Sequence, residues 1–373
     1  MYKPERIPLG IYVHFPWCIA KCPYCDFNSH QLRGALPAEA YVESLCQDLI
    51  SQAGNVSDRE VTSIFMGGGT PSLFGADVLC HLMTTIKQHY QLASHVEITI
   101  EANPGTFEVD RFAGYVDVGI NRLSIGVQSF CDQMLKKLGR VHCASEAYDA
   151  VTQAKRLGFN HINVDIMYAL SGQSIDGMLQ DLEVACQLSP DHLSWYELTI
   201  EPRTAYYKRP PSLPSSELKD DMTDLGLAYL AKQGYERYEI SAFSTPGSQC
   251  VHNSNTWQFG DYIGVGAGAC GKLTMASQIY RTQKQSSPKL YQLNPLAYAK
   301  RELVSHDRLA FEVALCGLRL VDGMSWDDVT SRSLPITGME IRSKLASVLV
   351  PDRLQFKPEA FHYYNEHLVA LLS

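Results

Sequence analysis

Along the first two thirds of the chain, short apolar runs alternate with stretches of helical period. The runs Leu9–His14, Val61–Met66, Val96–Glu101, Asn121–Val127, Asn160–Met167 and His192–Thr199 are rich in β-branched and aromatic residues and are bounded by Gly, Pro, Asn or polar positions, which predicts strands. Between them, Ala38–Gln52, Gly75–Tyr90, Val109–Val118, Ser145–Leu157 and Ile175–Leu188 carry apolar residues at helical spacing. Repeated β-then-α units of about 30 residues imply parallel strands with right-handed crossovers. Such a series suits a doubly wound sheet or a TIM-like barrel, and the unusual polar residues choose between them. Cys18 follows the first strand, Gly67-Gly68-Gly69-Thr70-Pro71 the second and Glu101-Ala102-Asn103-Pro104 the third; Gln128 follows the fourth, Asp165 sits late in the fifth and Glu197 in the sixth. A barrel gathers its site from many strand ends around one mouth, whereas a doubly wound sheet concentrates it at one switch point. The expected fold is therefore α/β, an incomplete TIM-like (β/α)6 barrel over residues 1–245.

The pattern changes further on. Arg209-Pro210-Pro211-Ser212-Leu213-Pro214 predicts a loop, and Ser216–Lys232 a helix. Residues 246–294, with the Gly- and aromatic-rich stretch from Cys250 to Lys272, are expected to connect the barrel to a small, mainly helical C-terminal domain over 295–373; its helices are expected near Ala310–Val321 and Met339–Leu349.

The chain has 373 residues, 45% hydrophobic and 19% charged, a globular balance. Lys plus Arg number 32 against 40 Asp plus Glu, a net charge of −8, which disfavours a partner held by phosphate neutralisation, so nucleic acid is not expected. No run approaches the roughly 18 apolar residues of a transmembrane segment. Met1 to Pro8 has no apolar core of signal-peptide length, so a cytoplasmic location is expected. Eleven cysteines, an odd number and mostly scattered, read as reduced thiols in that setting.

One group is different. Cys18-Ile19-Ala20-Lys21-Cys22-Pro23-Tyr24-Cys25 is C-x-x-x-C-x-x-C. A 4Fe–4S cluster normally takes four cysteines, so three leave one iron open to a small chelating molecule. The alternatives are a zinc site completed by His14 or His30, although no second pair of ligands is present, and three unrelated core cysteines. Gly67-Gly68-Gly69-Thr70-Pro71 allows a close backbone approach, or forms a tight turn in which Pro71 starts a helix; no Gly-Lys-Ser/Thr follows, so it is not a P-loop.

A C-x-x-x-C-x-x-C after the first strand of an incomplete α/β barrel, with this glycine loop, resembles the radical S-adenosylmethionine (SAM) proteins. Gly10 to Cys18, Ile98 to Gly105 and Ile125 to Phe130 are similar to the branch that holds the oxygen-independent coproporphyrinogen III oxidases and the haem chaperones, over about residues 7–323. The resemblance implies a 4Fe–4S cluster on Cys18, Cys22 and Cys25, with SAM on its open iron. It implies SAM contacts from Tyr12, Gly68 and Glu101, and a second set (Tyr24, Gly69, Thr70, Gln128, Arg140 and Asp165) at positions the oxidases use for a second SAM. Arg140 suits a carboxylate and Asp165 ribose hydroxyls; an ordinary charge at the barrel mouth is the simpler reading of Glu101 and Asp165.

Two features favour the chaperone side: Phe27 stands where the oxidases carry a further cysteine, and the first strand begins near Leu9, without the oxidases' long N-terminal extension. Val251-His252-Asn253-Ser254-Asn255-Thr256-Trp257 resembles the chaperones' H-N-x-x-Y-W motif, with Thr256 in place of Tyr. The resemblance implies that His252 binds haem iron, since a neutral imidazole is a good axial ligand. It implies delivery of haem to acceptor proteins, with respiratory haem proteins expected among them, and homodimers. It leaves an enzyme of the oxidase type, decarboxylating coproporphyrinogen III in porphyrin biosynthesis, as the alternative. Gly264-Val265-Gly266-Ala267-Gly268-Ala269 matches G-x-G-x-x-A by letter, but Lys284 stands where a ribose-binding acid belongs, so it reads as a glycine-rich turn close to the barrel.

Overall fold

The computed structural model describes residues 7–105, 111–275, 278–333 and 335–369. Six parallel strands run through the first part: β1 Leu9–Phe15, β2 Glu60–Gly68, β3 Gln91–Ala102, β4 Arg122–Gln128, β5 His161–Tyr168 and β6 His192–Glu197. The helices between them are α1 Ala38–Ala53, α2 Ala76–His89, α3 Phe112–Val118, α4 Asp132–Lys137, α5 Ala144–Arg156 and α6 Ile175–Gln187. These are the expected units, with α4 added; the expected helix start at Val109 lies outside the described residues. Next come α7 Ser216–Lys232, capped by the Ser215 side chain, and two short strands, β7 Glu236–Arg237 and β8 Ala242–Ser244.

The period of two sorts each strand. Leu9, Ile11, Val13 and Phe15 of β1, like Leu123, Ile125 and Val127 of β4, are fully buried in the main core, which contains residues of α1, α2, α5 and α6. The alternate positions face inward, and the register aligns them across strands. Tyr12, Phe65, Thr99 and Arg122 form one row; Glu101, Ser124, Asn163 and His192 form the next. An α/β barrel whose interior is polar in this way has a site at its mouth and not a plain packed centre.

The stretch expected as a connector is more regular than its sequence suggests. It holds a helix, α8 Val251–Trp257, and the strands β9 Asp261–Val265, β10 Cys270–Met275 and β11 Gln278–Lys284; β12 Tyr298–Leu303 follows. β9 pairs in parallel with β1, and β10 to β12 continue antiparallel, giving one sheet ordered β12-β11-β10-β9-β1-β2-β3-β4-β5-β6-β8-β7. The glycine-rich turn at 266–269 joins β9 to β10, and the Asn28 side chain donates to Ala267 O at 2.8 Å, which ties it to the cysteine loop.

The last part is mainly helical: α9 His306–Gly317, α10 Trp326–Arg332, α11 Pro335–Leu345 and α12 Tyr364–Val369. The first and third begin about four residues earlier than the apolar pattern indicated, the first directly after Ser305 and the third at Pro335, a residue suited to a first helical position. Leu309, Val313, Leu318, Val329, Ile341, Leu345 and Phe356 form its own core, together with Phe259 and Ile279 from the sheet. This unit touches both ends of the sheet. Arg319 pairs with Glu239 at 3.0 Å beside β7, and Glu312 with Arg281 of β11 at 3.0 Å.

Candidate functional site

The strand ends open into a cavity of about 400 Å³. Cys18, Cys22, Tyr24, Cys25, Gly68, Gly69, Thr70, Glu101, Gln128, Arg140 and Asp165 all line it. Of the residues expected to hold the cluster, SAM or haem, Tyr12 and His252 are not on its wall. Tyr12 lies on the same inward face, one step below: its hydroxyl donates to His14 Nδ1 at 2.9 Å, and burial, then the neighbouring Glu101, raise its pKa. His252 lies deeper, on α8 (see below).

The cysteine loop is pinned at both sides. Cys25 N–H donates to Cys22 O at 3.2 Å, Lys21 Nζ donates to Phe27 O and Ser29 O, and His14 Nε2 donates to Asn28 O at 2.9 Å. From the other side Arg140 Nη1 points at Cys22 Sγ, 3.7 Å away. Among the described residues no three His, Cys, Asp or Glu side chains converge on one point as a single metal ion would need. A cubane cluster has the opposite requirement, each thiolate meeting a different iron atom, and three half-buried thiols spread over one cavity wall suit it. Phe27 is exposed on the rim.

Next to the thiols, β2 ends in Gly68 with φ +112, a conformation that L side chains rarely adopt. This turns the Gly68 N–H towards Glu101, whose Oε2 accepts it at 3.0 Å. Glu101 is raised to about 7 by burial, then by the nearby carboxylate of Asp165, with the Gly68 bond opposing. Asp165 is itself raised by burial; Asn163 Nδ2 donates to it at 2.7 Å. The buried guanidinium of Arg140 stands opposite. Its Nη2 donates to Asn103 Oδ1 and to Gly126 O, each at 2.7 Å, while its Nε has no partner. A guanidinium on the wall of a cavity that also holds two carboxyls with raised pKa values fits a molecule bearing both a carboxylate and positive charge, as SAM does.

Sequence reading missed several residues here. Asn103 bridges Thr70 (Nδ2 to Oγ1, 3.0 Å) and Arg140. Tyr196 donates to Gln128 Oε1 at 2.7 Å and holds that residue at φ +75, an unusual backbone for a non-glycine residue. His142 Nε2 donates to Val127 O at 3.1 Å, where the β4–β5 register slips; burial lowers its pKa to about 4, so it is neutral. Asp181, raised to about 6 by burial, accepts from Ser129 Oγ and Phe130 N–H and fixes the following turn. The alternation that puts Ser124 and Tyr196 on the inward face was available in the sequence; the partnerships were not.

His252 Cα sits near the start of α8, which enters the barrel from the end opposite the mouth. Its N–H and the Cys250 thiol both donate to Glu97 Oε1, at 3.1 and 3.4 Å, and Glu97 is clamped by Arg122 Nε at 2.7 Å. The ring stacks on Phe65 with centroids 4.8 Å apart, and burial lowers its pKa to about 4. Thr256, in the place of the motif's Tyr, bonds back to His252 O at 3.0 Å. Trp257 is covered by the Arg319 guanidinium at 4.3 Å.

A curled parallel sheet with three cysteines after its first strand and a glycine loop after its second defines a class. A family model described as the radical SAM superfamily matches residues 12–185. The heme chaperone HemW of Haemophilus influenzae is 44% identical over 338 residues, 88% of each chain. HemW of Escherichia coli is 46% identical over 316 residues, 84% of this chain and 83% of the relative. HemW of Lactococcus lactis is 37% identical over 270 residues, 71% of this chain and 70% of the relative. Coproporphyrinogen III oxidase (HemN) from Escherichia coli superposes with a TM-score of 0.82 over 99% of this chain and 91% of its own, at 22% identity, a likeness of fold alone. The chain belongs to the radical SAM superfamily and, within it, to the family of the HemW heme chaperones. Membership carries a 4Fe–4S cluster and SAM as cofactors.

Proposed function

We propose that this chain is a haem chaperone, binding haem reversibly and passing it to acceptor proteins, with a 4Fe–4S cluster and SAM resident in the barrel mouth. The observation that carries the reading is identity of 44% and 46% to two HemW chaperones over more than four fifths of the chain, joined to Phe27 at the position of the oxidases' further cysteine.

Cys18, Cys22 and Cys25 hold the cluster. Glu101 and the Gly68 backbone take the cationic head of SAM, with Tyr12 fixing the wall behind them. Tyr24, Gly69, Thr70, Gln128, Arg140 and Asp165 form the opposite wall, where Arg140 takes a carboxylate and Asp165 accepts hydroxyl donors. The bound cluster supplies an electron to SAM when the superfamily's redox chemistry is used. His252 is the haem ligand. No helix among the described residues is long and apolar enough to cross a membrane; a cytoplasmic site of action, homodimers and respiratory acceptors belong to the same proposal, as does the division at residues 245 and 294.

The test is haem titration of anaerobically reconstituted protein, with coproporphyrinogen III turnover measured on the same sample. Stoichiometric haem binding without turnover supports the chaperone; formation of protoporphyrinogen at enzymatic rates replaces it with the oxidase.

A further inference from the structure

We infer that α8 is a removable plug, seating His252 in the barrel floor, and that it must swing outward before the imidazole can take haem iron, so haem loading is gated by the helix. The inference rests on His252 being the haem ligand and adds the regulation of that site.

Access is the first argument. His252 is 9% exposed. Phe65 stacks on its ring at 26° between planes, Tyr12 lies 6.1 Å away on the barrel side, and Tyr262 crosses it at 6.5 Å. A porphyrin is a rigid disc far larger than these gaps, and axial ligation requires its face to lie directly against the imidazole nitrogen. With rings around it and β1 beside it, the seated histidine offers no such approach.

The second argument is the quality of the seat. A helix committed to a protein interior has its polar side chains paired, because each orphan loses its water without compensation. On α8, His252 Nδ1, Ser254 Oγ, Asn255 Oδ1 and Trp257 Nε1 are all buried without a partner, four side chains of a seven-residue helix. The inward wall repeats the defect at Ser63 Oγ and Thr99 Oγ1. Gly10 lets β1 pass directly against these groups, so they meet without bonding: a methyl there would lie 2.9 Å from Ser63 Oγ and 3.5 Å from both His252 Nδ1 and Asn255 Nδ2. The helix is retained chiefly at its ends. Glu97 accepts from its first turn, Asn255 Nδ2 donates to Asp261 O at 2.9 Å, the Arg319 guanidinium covers Trp257, and Arg332 Nη1 donates to Gln258 O at 2.7 Å. Rotating α8 away would break those contacts and return four orphaned groups to water.

The test uses the full chain. Hydrogen exchange of the haem-free wild type, read by mass spectrometry, should show the amides of 251–257 exchanging at least tenfold faster than those of β1 and β2. In stopped flow, the rate of Soret growth on mixing with excess haem should level off as haem increases, since opening limits it. Ser63→Asp gives Nδ1 a carboxylate partner and should lower that plateau about tenfold; Ser63→Leu fills the seat and should raise it. Amides of α8 as protected as those of β1, or rates rising linearly with haem in all three proteins, overturn the plug. His252→Ala separates the two claims: unchanged haem affinity there removes the ligand assignment, whereas the exchange measurement on haem-free protein still judges the helix.

Discussion

Replacing Gly68 by alanine attacks the turn at the barrel mouth where β2 ends beside Glu101. At φ +112 any side chain is strained, and the added methyl would stand 2.5 Å from His14 Nδ1. The His14 ring has no free direction in which to yield, because Nδ1 accepts from Tyr12 OH and Nε2 donates to Asn28 O, both at 2.9 Å. The backbone strain costs about 1–2 kcal/mol, and each displaced hydrogen bond of His14 about 0.5–1.5 kcal/mol. Together these predict a loss of about 2–5 kcal/mol in urea unfolding followed by tryptophan fluorescence. Turning the Gly68 N–H away from Glu101 should also weaken SAM binding in the reconstituted protein by tenfold or more. The cause can be isolated with Gly68→Ala/His14→Ala, in which the methyl has room: the double variant should be less destabilised than the sum of the single ones. A Gly68→Ala protein within about 0.5 kcal/mol of wild type, or strict additivity in the double variant, refutes the argument.

Three further predictions follow from the site. Cys18→Ala, Cys22→Ala and Cys25→Ala should each lose the iron–sulfur absorption and electron resonance after anaerobic reconstitution; a centre that survives in all three contradicts the ligand assignment. Glu101 is raised from 4.5 to about 7, so the SAM-free fold binds its proton more tightly than the unfolded chain does, and this contribution to stability is full below about pH 4.5 and is lost as pH rises through about 7. Cationic SAM favours the carboxylate, so the rise in Tm on adding SAM should be larger at pH 8 than at pH 6; equal rises contradict it. His142→Phe removes the donor to Val127 O and should weaken SAM binding about tenfold while leaving the cluster intact, with His142→Asn recovering part of the loss; identical affinities in both variants would show that the carbonyl needs no anchor.

Most of the barrel and the cysteine loop were legible in the sequence because their signals are local. A β-branched run, a C-x-x-x-C-x-x-C spacing or a triple glycine declares itself within a dozen residues. What was hidden depends on distant partners. Val251–Trp257 has no apolar stripe and read as connector, yet it is helical because Glu97 and Arg122, more than 120 residues earlier, receive its first turn and the chain leading to it. The strands β10 to β12 have side chains too mixed for a clean alternation, and they take strand form by adding to the edge that β9 provides. Asn103 stood inside a quoted motif, but its role appears only when Thr70 and Arg140 are brought to either side of it. His252 was found by its motif, whereas its seat in the barrel floor could not be read from any spacing.

Transfer of haem from the loaded, reconstituted protein to an apo-globin, followed by the shift of the Soret band with SAM present, tests the central claim most directly. The account predicts that haem moves intact to the acceptor while SAM is recovered unchanged. Haem that stays bound, together with methionine and 5′-deoxyadenosine accumulating when coproporphyrinogen III is supplied instead, would contradict it.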